Sequence, residues 1–171
     1  MTNYEGIKME ADGDNIRFAL LKSGKRMLYV FGVNPSTATE SRSDSTMRKV
    51  IGFVERNGFD GFAMMNIYPL RSTNPFSLPK EINEELHQNN LAEIKKVIGN
   101  ENNPVVLLAF GNSIGAAPYL KKCLSDIVSM LQPLHPQWKQ IGNLTKRGSP
   151  RHPSRASYSL DLQDFDVTKY L

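Results

Sequence analysis

Three short runs in this chain, Met27–Phe31, Phe62–Tyr68 and Val105–Phe110, are apolar at almost every position, and segments of helical period separate them. A strand with no polar face must be covered on both sides, and short connections meet that need only poorly. Between the first two runs, Met47, Val50, Ile51 and Val54 recur at helical spacing after the N-cap candidates Asp44 and Ser45, and Asn57-Gly58 supplies a stop. Ile82, Leu86, Leu91, Ile94 and Ile98 mark a second helix ended by Gly99. A third follows Gly111-Asn112, with Pro118 in its first turn, and reaches about Leu131. Pro133 and Pro136 then precede a last strand candidate, Gln137–Ile141. This alternation predicts an α/β domain of three layers, a parallel sheet with helices on both faces. Upstream, Ile16–Lys22 and Arg26–Val33 flank Ser23-Gly24-Lys25, which predicts a hairpin whose first strand lies at the sheet edge.

At 171 residues, 40% of them hydrophobic, the chain suits one domain spanning 1–171 with a single core. A net charge of +4 permits an acidic partner without requiring one. The lone Cys123 excludes an internal disulfide and any all-cysteine metal centre within one chain. With three separated histidines and no carboxylate cluster, we expect no metal and no cofactor. The start, Met1-Thr2-Asn3-Tyr4-Glu5, lacks a basic-then-apolar leader, and no apolar run approaches the roughly 18 residues that span a bilayer. A cytoplasmic protein without a membrane partner is the expectation.

In parallel α/β sheets ligands bind beyond the carboxyl ends of the strands. Four loops fall there: Asn34–Ser43, Asn66–Asn74, Gly111–Gly115 and Asn143–Tyr158. Asn34-Pro35-Ser36 offers an amide that can hold a water or a ligand carbonyl, or simply close an Asx turn. Asn66 interrupts an apolar strand and needs buried partners or a ligand. Arg71, behind Pro69-Leu70, carries the planar fork that grips phosphate or carboxylate, and is otherwise a surface arginine. His152 stands among Lys146, Arg147, Arg151 and Arg155, cations that lower its pKa and keep the ring neutral. Asn112 opens a small-residue turn of the kind that favours phosphate at a helix start.

In order and spacing these segments resemble the uracil-DNA glycosylase superfamily. Gly32-Val33-Asn34-Pro35-Ser36 resembles its first motif, Phe62–Tyr68 its strand ending in a base-reading asparagine, Val105–Gly111 its third strand and turn, and Arg151-His152-Pro153-Ser154 its second catalytic motif. The chain also resembles a family of uncharacterised bacterial and phage-type proteins marked by Asn34–Ala38, Asp44–Arg48, Asn66–Arg71 and Gly148–Pro153. The superfamily resemblance implies a central four-stranded parallel sheet in the order 2-1-3-4. It implies that Asn34 and His152 are catalytic, orienting water and stabilising a departing base. It further implies that Asn66 reads the base edge and that Ser36, Ser154 and Arg155 contact phosphates, so the partner is DNA or a nucleotide-like ligand.

The chain departs from the glycosylase pattern at two places. Thr37–Asp44 holds no aromatic ring for stacking on a base, which leaves Tyr68 or Phe76 to substitute, and Arg155-Ala156 stands where an apolar wedge is usual. Hydrolysis of an N-glycosidic bond is the expected activity, and a non-catalytic nucleotide- or nucleic-acid-binding module is the alternative. Asp44 separates these from a third chemistry: as a helix cap it leaves the glycosylase picture intact, and as a carboxylate in the crevice it favours a different substrate.

Overall fold

The computed structural model describes residues 4–171. Met1–Asn3, part of the start from which a leader was judged absent, lies outside the described residues. The elements in chain order are β1 (Lys8–Asp12), β2 (Ile16–Lys22), β3 (Met27–Gly32), α1 (Ser45–Arg56), β4 (Gly61–Asn66), α2 (Glu84–Ile98), β5 (Val105–Leu108), α3 (Leu120–Leu131), β6 (Gln137–Ile141), β7 (Leu162–Asp164) and α4 (Val167–Tyr170).

The fold is mixed α/β, and its sheet has seven strands in the order β1-β2-β4-β3-β5-β6-β7. This corrects the expected four-stranded parallel sheet. Within it β4, β3, β5 and β6 are parallel neighbours, while β1 and β2 extend one edge and β7 the other in antiparallel pairing. The extra strands β1 and β7 are short, partly exposed and rich in charge, so neither leaves an apolar signature. The hairpin is also corrected: β2 pairs with β1 and β4 rather than β3, so it is not an edge strand.

Side chains of the central strands alternate between two cores, as the pleat requires. Leu28, Val30, Phe62, Met64 and Leu107 pack with Met47, Val50, Phe53 and Val54 of α1. Tyr29, Phe31, Ala63, Met65, Val106 and Leu108 pack with Leu86, Ile94 and Ile98 of α2 and with Leu120, Leu124 and Ile127 of α3. Cover on both faces explains why these strands have no polar side. Among the described residues no helix is long and apolar enough to cross a membrane.

The register of β3 on β4 runs from Met27↔Gly61 to Gly32↔Asn66. It is fixed at its start by a backbone contact: a Cβ on Gly61 would lie 2.5 Å from Gly24 N and 2.8 Å from Gly24 Cα. Asp60 reinforces this corner by accepting from Arg26 N–H at 2.7 Å. Because backbone cannot yield as a flexible side chain can, Gly61→Ala is expected to cost about 1–3 kcal/mol in chemical denaturation. An unchanged midpoint would show that the corner is looser than this packing implies.

Candidate functional site

A cavity of about 610 Å³ opens at the carboxyl ends of β3, β4 and β5, on the α1 side of the sheet. Its lining brings together Asn34, Ser36, Asp44, Asn66, His152, Ser154 and Arg155, residues more than a hundred positions apart in the chain. Tyr68, Arg71 and Asn112, also expected to bind substrate, lie outside this lining. Tyr68 is buried against Tyr119 with its hydroxyl accepting from Asn83 N–H, so it offers no stacking face. Arg71 lines a neighbouring depression, and Asn112 Oδ1 accepts from the Thr145 hydroxyl. Phe76 is 68% exposed and is likewise absent from the lining; Phe110 borders the cavity, but it is fully buried with its ring against Tyr170.

Asn66 ends β4 at 1% exposure, and both its Nδ2 and its Oδ1 are buried without a hydrogen-bond partner. Such a group costs roughly 1–3 kcal/mol relative to a satisfied one. Its backbone is held from the opposite face by Asn90 of α2, whose Nδ2 donates to Asn66 O and Ile67 O. Room for the amide comes from Gly32, where a Cβ would sit 3.0 Å from Asn66 Oδ1 and 3.1 Å from Met64 Cε. Sequence reasoning missed Asn90, although its signal was present: it interrupts the apolar stripe Leu86-Ile94-Ile98 of α2.

Asn34 follows β3 and spends its Nδ2 on Pro35 O, Leu70 O and Ser72 O at 3.1, 3.4 and 3.0 Å. That amide clamps two loops together, and Oδ1 remains as an acceptor with no partner among the described residues. Asp44 caps α1, its Oδ1 accepting from Met47 N–H at 2.8 Å, and it also lines the cavity. Asp44 thus takes the capping role, and it does so from the cavity's edge.

His152 enters on the loop after β6 and begins the single turn Pro153–Arg155. The loop approaches Gly111 so closely that a Cβ there would meet His152 Cβ at 3.1 Å, and Gly111 has φ +57°. Beyond the turn, Tyr158 fills the notch over Gly52 of α1, and Lys49 Nζ donates to Ala156 O. Nδ1 of His152 accepts from Ser154 N–H at 3.2 Å and lies 2.7 Å from Ser154 Oγ. A backbone N–H can only donate, so the neutral ring carries its proton on Nε2. Burial is the first cause that pulls the His152 pKa below its ordinary 6.5; Asp44 opposes it and Arg155 adds to it. This corrects the expected cause, because Lys146, Arg147 and Arg151 do not line the cavity.

Arg17 of β2 was not singled out from the sequence, and it lines the cavity at 3% exposure. Its signal is a lone cation in the run Ile16-Arg17-Phe18-Ala19-Leu20. Among the described residues no group of three or more His, Cys, Asp or Glu side chains is arranged to hold a metal.

The lowered pKa of half-buried His152 has a sign consequence. Since the folded pKa lies below the unfolded one, the stability from neutral His152 is complete above about pH 6.5 and is lost as pH falls through the folded value. An NMR titration is expected to give a pKa below 6.5 and nitrogen shifts of the Nε2–H tautomer. A pKa at or above 6.5, or an Nδ1–H ring, would contradict this geometry.

The family described as "Protein of unknown function (DUF1643)" matches residues 17–154, a span that contains every residue of the cavity lining except Arg155. No curated protein and no solved structure matches the chain.

Proposed function

We propose that the chain, which belongs to the DUF1643 family, binds a nucleobase in the cavity at the strand ends. The observation that carries this reading is the Asn66 amide. It offers an NH2 donor group and a carbonyl acceptor, both buried and both without a partner, on the lining of a cavity of ordinary ligand size. A lactam or amidine edge presents the complementary pair in one plane, so a base satisfies both atoms at once. Met64 is the part of the wall that yields to the ligand, being unbranched and adjacent to the Asn66 amide over Gly32.

The uracil-DNA glycosylase resemblance, which rests on the sequence motifs, adds a chemistry. In N-glycosidic hydrolysis the oxygen of water bonds to the sugar carbon, the carbon–nitrogen bond breaks with its electron pair leaving on the base, and the proton the water gives up ends on that base. Neutral His152, with its proton on Nε2, is a suitable donor to that charge. Asn34 Oδ1 is an acceptor that can orient the water. A non-catalytic binding module is the second reading, and a specific observation favours it: the Asn34 amide donors are already spent on three loop carbonyls.

Asn66→Ala separates function from stability. It is expected to weaken binding of the preferred nucleoside by about tenfold or more, the loss of roughly 1.4 kcal/mol. Folding stability is expected to stay within about 1 kcal/mol of wild type, because the amide makes no internal hydrogen bond to lose. Isothermal titration over the common nucleosides, with thermal unfolding alongside, checks both; no nucleoside binding by wild type would sink the reading. A base-release assay across uracil, hypoxanthine, xanthine and alkylated bases then decides the chemistry. Release that falls in His152→Ala more than binding does supports hydrolysis, and binding without release supports the module.

A further inference from the structure

Two arginines lie against the loop that follows β3, and neither forms an ion pair among the described residues. Arg17 directs Nη1 to Ala38 O at 2.9 Å. Its Nε is buried with no partner, and Nη2 donates to no acceptor among the described residues. Arg71 directs Nη1 to Ser36 O and to the same Ala38 O, and its own Nε is unpartnered. Burial, with the like charge of Arg71 behind it, brings the Arg17 pKa down to about 10, which leaves it a cation at neutral pH.

A guanidinium is an expensive way to pin one loop carbonyl, since a buried cation needs a counter-charge as well as hydrogen bonds. Nε and Nη2 form the side-on edge that grips an oxyanion through two parallel hydrogen bonds. That edge is the part of Arg17 that the protein leaves unused. Ser45 and Thr46, in the first turn of α1, line the same cavity, where helix N–H groups favour negative charge. Asp44 is the carboxylate of this lining; its Oδ1 is committed to Met47 N–H, and it lies beyond ion-pair distance of Arg17.

We propose that the cavity takes a free nucleoside monophosphate, with the base on Asn66 and the terminal phosphate on the Nε/Nη2 edge of Arg17. The proposal rests on the nucleobase reading above and names the substrate class for the same site. A polymer carries its phosphodiesters along the rim, where Ser154 and Arg155 are exposed. Arg17, at 3% exposure, is reached only by a phosphate that ends a small ligand. Base and phosphate together satisfy the orphaned atoms of both side chains.

Calorimetric titration of the full chain with inorganic phosphate, the four common nucleosides, their 5′-monophosphates and single-stranded oligonucleotides tests this. At least one monophosphate is expected to bind about tenfold or more tighter than its nucleoside, the gain from a bidentate charge-assisted contact. Arg17→Gln is expected to remove that gain and leave nucleoside affinity intact, while Arg17→Lys restores part of it; thermal unfolding verifies that each variant is folded. Equal affinity for nucleoside and monophosphate in wild type overturns the proposal and leaves the nucleobase reading standing. An oligonucleotide that outbinds every monophosphate overturns it in favour of nucleic acid. Arg17-dependent binding of inorganic phosphate without any nucleoside or nucleotide binding overturns the nucleotide through its base half, and isolates an anion site.

Discussion

The parallel pairing of β3 with β4 sets the level at which every loop of the cavity leaves the sheet. Its register is fixed by the Gly24–Gly61 backbone contact at one end, and it brings Gly32 opposite Asn66 at the other. A slip of one residue would turn Asn66 to the α2 face and bury Ile67 or Met65 on the α1 face, since side chains alternate strictly along a strand. Asn90 guards against this from below by holding the carbonyls of Asn66 and Ile67. Packing thus delivers an amide to the cavity that the packing itself does not satisfy.

Two buried polar groups at this end of the sheet carry an energetic cost that the protein offsets only in part. Asn66 lacks partners for both amide atoms, and Arg17 lacks an ion pair and a partner for Nε, with Asp44 as a more distant favourable charge. Buried atoms without a hydrogen-bond partner also occur outside the cavity lining, at Arg71 Nε, His87 Nδ1, Asn90 Oδ1 and Glu93 Oε2, although His87 Nε2 pairs with Asp126. What sets the cavity apart is Asn66, the residue that among the described residues has two buried side-chain polar atoms without a partner. His152 differs in having a partner at Nδ1; desolvation lowers its pKa while Asp44 and Arg155 act on it in opposite directions.

Strands apolar at every position were legible because only cover on both faces tolerates them, and β3, β4, β5, α1 and α2 follow the periodicity closely. β1 and β7 were not, because short edge strands carrying Lys8, Glu10, Gln163 and Asp164 leave no alternation to read. Asn34, Asn66 and His152 were visible as polar residues at strand ends or beside prolines. Arg17 and Asn90 were overlooked because each lies within an element, where attention to loops does not reach. Tyr68 shows the converse: its position after β4 suggested the crevice, but the side chain continues into the α2–α3 core and packs on Tyr119.

The account stands on the Asn66 amide as a ligand-reading group. Its most direct test is the side-chain Nδ2H₂ resonance of Asn66, followed by heteronuclear NMR while a nucleoside is titrated into the protein. The account predicts that both amide protons move downfield and saturate together with the bound fraction, as a buried donor acquires its first acceptor. Saturable binding that shifts only rim residues such as Ser154 and Arg155, with the Asn66 amide unmoved, would contradict it.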